Sequence, residues 1–428
     1  MSDSQNGELQ RCGISVDVGT SQITVHVVRL PECEVESEVI VPNPQNRIGS
    51  DIISRVAYSI KNAANASELT QMVRRAVSNA ILLALEDSGS PTPSVRDVVI
   101  VGNTVMHHLF HGLPVESLSE APYTTSQKNP VSTTAAAIGL ELEKETPVYS
   151  PPIIQSFIGP DALMMLVTSG AIDTQDRMVA IDVGTNTEIA VCHEGQIWLA
   201  SAASGPAFEG MSLQCGMPAT EGAIESIRIG PDYRPEITVI GGARPRGICG
   251  SGAISTVAAL LGTCLLDSKG SLNRQTHSMW VRREGSLVYY VVAPASQSAT
   301  ASPIYVSQVD LRMLQQSKAA IYAVLTLLLE KAELTPSHVE RVFLTGAFGS
   351  GVDIKDAYRI GLLPEFTNAT LQQMRGGAIS GADAMLCSPA MRKTVEGLSR
   401  SIRCIEMGGN PEFEERYVKA LPYAGLED

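Results

Sequence analysis

The sequence predicts an α/β protein built from two similar halves that face each other across a cleft. Three observations carry this. The tetrad Asp-Val-Gly-Thr occurs twice, at residues 17–20 and 182–185, each time between two apolar runs that read as strands. A glycine-opened apolar helix begins at Gly250-Ser251-Gly252, and a late strand ends at Gly346-Ala347-Phe348-Gly349. One short glycine motif would be compatible with an ordinary hairpin, but a unit repeated a domain's length later indicates duplication. The repeat sets the expected division. A flexible tail covers 1–12, a first half covers 13–175, and a second half covers 176–428, with C-terminal helices able to pack back on the first.

At 428 residues the chain suits two or three packed units. Hydrophobic residues at 44% and charged residues at 18% exclude wholesale disorder, and 36 glycines favour a fold rich in tight turns. A net charge of −13, with no cluster of Lys and Arg, argues against a nucleic-acid surface. The first dozen residues lack a signal pattern and the longest apolar run, near 319–329, is too short to cross a bilayer, so a cytoplasmic protein without membrane contact is expected. The eight cysteines (Cys12, Cys33, Cys192, Cys215, Cys249, Cys264, Cys387 and Cys404) show no Cys-x-x-Cys pair or ferredoxin-like spacing. They read as reduced structural thiols, with no iron–sulfur cluster in this chain. A cluster bridging two copies of a homodimer is the alternative.

Each element follows from a local pattern. Residues 13–28 and 179–191 both read as strand, polar turn, strand. Gly184 can take backbone angles closed to other residues and lets an oxyanion approach the main chain, with Thr185, Asn186 and Thr187 as short donors beside it. Asp182 ends a buried strand, where a carboxylate is costly unless paired; Mg²⁺ with its waters is the usual partner where phosphates are handled. Residues 39–41 form a strand that leaves through a proline-fixed turn. Ser50 or Asp51 then caps a helix with Ile52, Ile53, Val56 and Ile60 on its apolar face, and a longer helix spans 69–85.

The strand at 98–101 runs into Gly102, and His107, His108 and His111 follow. Adjacent histidines on a helix point to different faces and no carboxylate completes a set, so they read as capping and packing groups rather than metal ligands. Residues 123–152 read as an irregular excursion, and 162–169 as a helix with Asp161 near its positive end. After the strand at 196–200, the small-residue loop 201–210 is either a packing corner or a wall of a ligand cleft. Glycines opening the helix at 250 let N–H groups converge on an anion. Strands within 279–292, a helix over 309–333 started by Ser307 or Asp310, and the strand before Gly346 follow. An adenine ring can lie against that glycine turn, with Phe348 shaping the wall. A helix over 378–398, a strand over 403–407 and a helix over 411–421 complete the chain.

Two phosphate hairpins, a glycine-opened helix and a strand ending in Gly-Ala-Phe-Gly, in that order, resemble the superfamily of actin, sugar kinases and the heat-shock ATPases. The fold implied is actin-like, related to ribonuclease H, with duplicated domains facing across a nucleotide cleft. The resemblance narrows with Asn43-Pro44-Gln45, Gly49-Ser50-Asp51-Ile52-Ile53-Ser54-Arg55, Gly102-Asn103-Thr104 to His108, residues 182–189, Gly205-Pro206-Ala207-Phe208-Glu209-Gly210, Cys215-Gly216-Met217, residues 247–252 and Ile360-Gly361-Leu362-Leu363-Pro364. Together these are similar to the ATPase domain of the reductive activators of corrinoid proteins, over nearly the whole chain.

What that resemblance implies is an ATPase that restores the Co(II) form of a methyl-transferring corrinoid protein to Co(I). Asp17 and Asp182 would hold Mg²⁺ through water. Gly19, Thr20, Ser21 and Gly184, Thr185, Asn186 would cradle the phosphates of ATP, with Gly205 beside them. Gly250, Ser251, Gly252, Gly346, Ala347, Phe348 and Gly349 would line the nucleoside side, and Glu188 would orient the attacking water. Ser204 and Glu209 are the oxygen donors that the loop offers towards a partner's cobalt. Without a cluster of its own, the chain would take its electron from a separate ferredoxin-like protein. A small-molecule kinase of the same fold, with Asp161 or Glu209 as base, and a nucleotide-sensing scaffold are the competing readings.

Overall fold

The computed structural model describes residues 11–120, 123–210, 212–273, 276, 278–349 and 351–423. All of the tail expected over 1–12 except its last two residues lies outside them, and Cys12 already belongs to the first strand. The chain forms two compact units. The first takes the described residues up to Thr174 together with Gly376–Cys404, and the second takes Gln175–Arg375 and those from Ile405 onward.

In the first unit, β1 (Cys12–Val18), β2 (Gln22–Arg29) and β3 (Glu34–Pro42) make an antiparallel meander. The helices α1 (Ile52–Ser59) and α2 (Ala63–Ser88) follow, and β4 (Val95–Val101) then lies parallel to β1 on its other side. After α3 (Thr104–His111) come β5 (Val131–Thr134), α4 (Ala135–Ile138), β6 (Pro147–Ser150) and α5 (Pro160–Thr168). The sheet order is β3-β2-β1-β4-β6-β5. Ile14, Val16, Ile23 and Val25 pack with Val73, Val77 and Ile81 of α2 in one core. Asp51 caps α1 by accepting from the Ser54 N–H at 2.8 Å, and Asn62 caps α2; Gly89 closes α2 in a left-handed conformation.

Two returning helices, Gly377–Cys387 and Pro389–Leu398, complete this unit. Asp383 meets His26 Nδ1 at 2.8 Å, and Arg392 pairs with Asp97 while its guanidinium lies 4.5 Å over the Tyr149 ring. The single helix expected over 378–398 is thus broken at Ser388, because Pro389 cannot continue a helix and instead starts a new one. The excursion expected over 123–152 contains β6, which pairs in parallel with β4. Ile53 and Ile60, expected on the buried face of α1, are 57% and 42% exposed. Cys33 and Cys387, expected as reduced thiols, are paired as a disulfide with Cα atoms 5.7 Å apart.

The second unit repeats the plan. β7 (Met178–Val183), β8 (Thr187–His193) and β9 (Gln196–Ala202) form an antiparallel meander. A smaller sheet of β10 (Ala223–Ile229), β11 (Pro235–Val239) and β12 (Gly247–Ile248) precedes α6 (Gly250–Gly262). Another follows, made of β13 (Val281–Glu284), β14 (Leu287–Ala293) and β15 (Ile304–Ser307). The helix α7 (Gln308–Lys331) starts from a capping box between Ser307 and Asp310, so both expected starters act together. β16 (Arg341–Gly346) lies parallel to β7, flanked in turn by β17 (Thr370–Gln373), with α8 (Ile354–Arg359) between them in the chain. The last helix, α9 (Pro411–Ala420), is fastened to α7 by the buried Lys318, whose ammonium donates to the carbonyls of Ala420 and Pro422. The strand expected over 403–407 covers only Arg403–Cys404.

The histidines of α3 are packing groups, His107 and His108 buried and His111 partly so. His108 bonds the Thr104 carbonyl and the Thr125 hydroxyl, His111 bonds the Ser150 hydroxyl at 2.9 Å, and the His107 ring lies 4.6 Å from that of His111. Burial pushes all three below the ordinary imidazole range, His111 to about 4. The folded state therefore binds fewer protons than the unfolded chain at mildly acid pH. This contribution to stability is present above about pH 6.5 and is lost as pH falls below it. Urea melts are expected to show about 2 kcal/mol lost on His111 between pH 7.5 and 5, a loss that His111→Gln removes.

Candidate functional site

The second unit gathers its glycine-rich segments around one turn. In β7, Asp182 stands opposite Glu188 of β8 and Thr345 of β16, so the three side chains share one face of the sheet. The turn that follows is Gly184, Thr185 and Asn186, closed by a Gly184 N–H to Asn186 carbonyl bond of 3.1 Å. The loop after β9 folds back onto it. Gly205 N–H donates to the Thr185 carbonyl at 2.9 Å, Thr185 Oγ1 donates to Glu209 Oε1 at 3.0 Å, and the Thr187 and Ser204 hydroxyls lie 2.7 Å apart. Gly205 has φ 72° and ψ 171°, a conformation essentially restricted to glycine.

Close approaches of backbone hold the other segments. A Cβ on Gly250 would fall on the Phe208 carbonyl oxygen, and one on Gly346 (φ 64°) would fall on the Val183 carbonyl and the Asp182 carboxylate. Ala347 N–H donates to that Val183 carbonyl at 2.7 Å. Phe208 and Phe348 meet edge to face at 5.7 Å, both buried. Phe348, expected to shape a ligand wall, is 0% exposed and packs on Phe208.

The first unit builds its turn differently. Asp17 stands opposite Thr24 and Val101. Val18 pairs with Ile23 across four residues, the last of which, Gln22, already belongs to β2 and pairs with Pro42, whereas Val183 pairs with Thr187 across three. The identical tetrads thus enter turns whose closing pairs differ by one residue. Asn43 Nδ2 donates to the Gly19 carbonyl at 2.9 Å, Asn46 Nδ2 to the Ser21 carbonyl at 3.0 Å, and Asn103 Nδ2 to Thr20 Oγ1 at 3.0 Å. Asn103 also caps α3, so the cap and the turn share one side chain.

Arg55 of α1, which sequence reasoning passed over, completes this lattice. Its Nη2 donates to the Thr20 carbonyl at 2.6 Å and to Asn46 Oδ1 at 2.7 Å, with the side chain fully buried. Burial lowers it to about 10, so it remains a cation at neutral pH. An arginine in the first turns of an amphipathic helix carries no sign of burial, because its acceptors come from other segments.

Of the remaining expected residues, Glu188 is only 7% exposed and accepts from Ser201 Oγ at 2.9 Å. Ser204, expected to face a partner, is 4% exposed and also donates to the Gly184 carbonyl, so it belongs to the turn. Ser251 lines a cavity of about 410 Å³ bounded by one edge of β10, a face of α6 and the segment through α8. Glu225, Arg228, Asp353, Asp356 and Arg359 supply its charged lining, and none was legible in the sequence. The volume falls in the range of small-ligand pockets, and both signs of charge suit a polar heterocycle or sugar rather than an apolar ligand.

Comparison with known proteins follows the same division. Residues 12–173 match the RACo middle region, and residues 176–427 match the C-terminal domain of RACo, the ASKHA domain. The chain is 29% identical over 413 residues to corrinoid activation enzyme RamQ of Eubacterium limosum, covering 95% of this chain and 69% of that protein. It is 23% identical over 395 residues to the [Co(II) methylated amine-specific corrinoid protein] reductase of Methanosarcina barkeri, covering 84% and 67%. A solved structure of a reductive activator for corrinoid,iron-sulfur protein superposes with a TM-score of 0.90 at 28% identity, covering 98% of this chain and 67% of that one. The actin-like fold expected from the repeated hairpins is thereby shown.

The close approaches can be checked by stability. Gly250→Ala is expected to cost about 2–4 kcal/mol in urea unfolding, because the Phe208 carbonyl must shift. Gly397→Ala, in a helix with open space around it, is expected to stabilise by about 0.5–1 kcal/mol.

Proposed function

The chain belongs to the RACo family, carrying its middle region and its C-terminal ASKHA domain, and on that premise we propose that it is an ATP-dependent reductive activator of a corrinoid protein. The relatives' names, which specify corrinoid activation and corrinoid-protein reduction, support the client. The nucleotide is supported by one observation: the loop after β9 and the end of β16 converge on the turn after Asp182, and α6, whose first glycine packs on that loop, lines a polar cavity of nucleoside size.

In this reading the turns Gly19–Thr20–Ser21 and Gly184–Thr185–Asn186 bind phosphate oxygens, with Gly205 bracing the second. Asp17 in β1 precedes the first turn and Asp182 in β7 precedes the second, and each is a carboxylate of the kind that would hold Mg²⁺ through water. The ion, when bound, neutralises phosphate charge as the terminal phosphoanhydride breaks. Glu188, on the same sheet face as Asp182, orients the attacking water. The nucleoside occupies the cavity beside Ser251, with Gly250 and Gly252 allowing the helix to start there, and Gly346, Ala347 and Gly349 shaping the approach.

Hydrolysis changes what the turn binds, and the Thr185–Glu209 and Thr187–Ser204 bonds give that change a short route to the loop 201–210. That loop meets the corrinoid protein. Binding that favours the Co(II) form releases the client once an electron from a separate iron–sulfur protein has produced Co(I). A small-molecule kinase is the second reading, favoured by Asp161 at the start of α5, which burial pushes up to about 6, towards the range of a general base. Phosphoryl transfer to a hydroxyl acceptor rather than to water would select it.

Two measurements test the proposal. Purified protein is expected to bind Mg-ATP by calorimetry and to hydrolyse it, with Asp17→Asn and Asp182→Asn each slowing turnover about 100-fold or more; no nucleotide binding by folded wild type would remove the ATPase reading. Affinity for the Co(II) and Co(I) forms of a candidate corrinoid protein is expected to differ in wild type and to converge in Ser204→Ala and Glu209→Gln. Equal wild-type affinities, or variants indistinguishable from wild type, would take the loop out of the mechanism.

A further inference from the structure

The Gly19, Thr20 and Ser21 carbonyls of the first turn are each held by donors from the one segment 43–55. Asn43 takes Gly19, Arg55 takes Thr20, and both Asn46 and the Asn43 N–H take Ser21. In a trans peptide the C=O and the following N–H point in opposite directions, so the N–H groups that follow are aimed away from this lattice, towards the turn's outer side. That direction is the one from which an anion can reach the backbone of the turn.

The lattice is centred on a charge that the protein itself does not neutralise by contact. The Arg55 guanidinium donates to Gly49 O at 3.0 Å, Gln45 Oε1 at 3.1 Å, Met106 Sδ at 3.1 Å, Thr20 O and Asn46 Oδ1, all neutral acceptors. No carboxylate among the described residues hydrogen-bonds it. Asp51, whose charge does reach it, is engaged with Ser54 as the cap of α1. A buried cation is costly unless an anion accompanies it. Its hydrogen bonds all go to neutral acceptors, and the carboxylate charge that reaches it, Asp51, is shared with the cap of α1, which leaves the outer side of the turn it holds as a place for a further anion.

We propose that Arg55 is a positioning residue for the first phosphate turn and one half of a charge pair whose other half is the bound polyphosphate. It makes affinity rise with the number of phosphates on the nucleotide. This inference rests on the nucleotide reading above and assigns the source of its phosphate discrimination. A purely structural arginine would hold the turn equally well for any ligand, and its charge would leave no trace in the ratio of affinities.

The test is that ratio, measured by calorimetry on the full chain with adenosine, ADP and ATP. Gln45→Glu places a carboxylate on Arg55 Nη1 and keeps the side-chain bonds of Asn43, Asn46 and Arg55 to the turn, losing only the Gln45 Nε2 bond to the Leu69 carbonyl, and so gives Arg55 an internal anion. It is expected to fold and to lower ATP affinity about tenfold relative to adenosine. Arg55→Met is expected to lose the phosphate dependence, and Arg55→Lys to restore part of it by returning the charge; thermal melts establish that each variant is folded. If wild type binds none of the three ligands, the nucleotide reading falls and this inference with it. If wild type prefers ATP and Gln45→Glu and Arg55→Met keep the wild-type ratio, only the inference is overturned.

Discussion

Both units depend on one steric constraint, a glycine that lets a parallel strand leave the sheet against the carbonyl preceding the phosphate-type turn. A Cβ on Gly102, after β4, would lie 2.6 Å from the Val18 oxygen, and one on Gly346, at the end of β16, would overlap the Val183 oxygen. Val18 and Val183 are the residues just before Gly19 and Gly184. Each glycine therefore sets how closely the segment beyond its strand approaches the turn. In the first unit that segment is Asn103 and α3; in the second it is Ala347 and the buried Phe348. The same backbone device delivers a polar cap in one case and an aromatic brace in the other.

This pairing explains what was legible in the sequence. The hairpins announced themselves because Asp, Gly and Thr at fixed spacing have few other uses, and because central strands buried on both faces read as continuous apolar runs. The counterpart of Gly346 was harder to see. Gly102 precedes Asn103, whose capping role is sufficient reason for a glycine nearby, so its equivalence to Gly346 emerges only from the register of β4 and β16 beside β1 and β7.

What was not legible has a common physical cause. β6 is four residues long and owes its place to the parallel neighbour β4 rather than to its own pattern. The charged lining of the cavity comes from β10, where Glu225 and Arg228 alternate with buried Ala223, Ile224 and Ile227 in a way that reads as any half-exposed strand. Arg55 is buried only because Asn46, Gln45, Gly49 and Thr20 come to it from outside its helix. Ser204 turns inward because Thr187 lies opposite the start of its loop. In each instance a residue's role is decided by partners distant in sequence, which local periodicity does not encode.

The division of the chain between the units has a consequence for its biogenesis. The first unit needs the helices after Gly376, where a Cβ on Gly381 would press on the Met164 backbone and Leu386 covers Gly13; the second needs Tyr423, whose hydroxyl reaches the Leu311 carbonyl at 2.7 Å. A ribosome delivers these closing pieces after the principal sheet of each unit. Until then each nascent unit has its principal sheet but lacks the segment that shields one side of it, so neither can commit to its final packing during most of elongation. Such a chain gains its cooperativity only once those segments have emerged, and until then its apolar surfaces stay open to holdase-type chaperones.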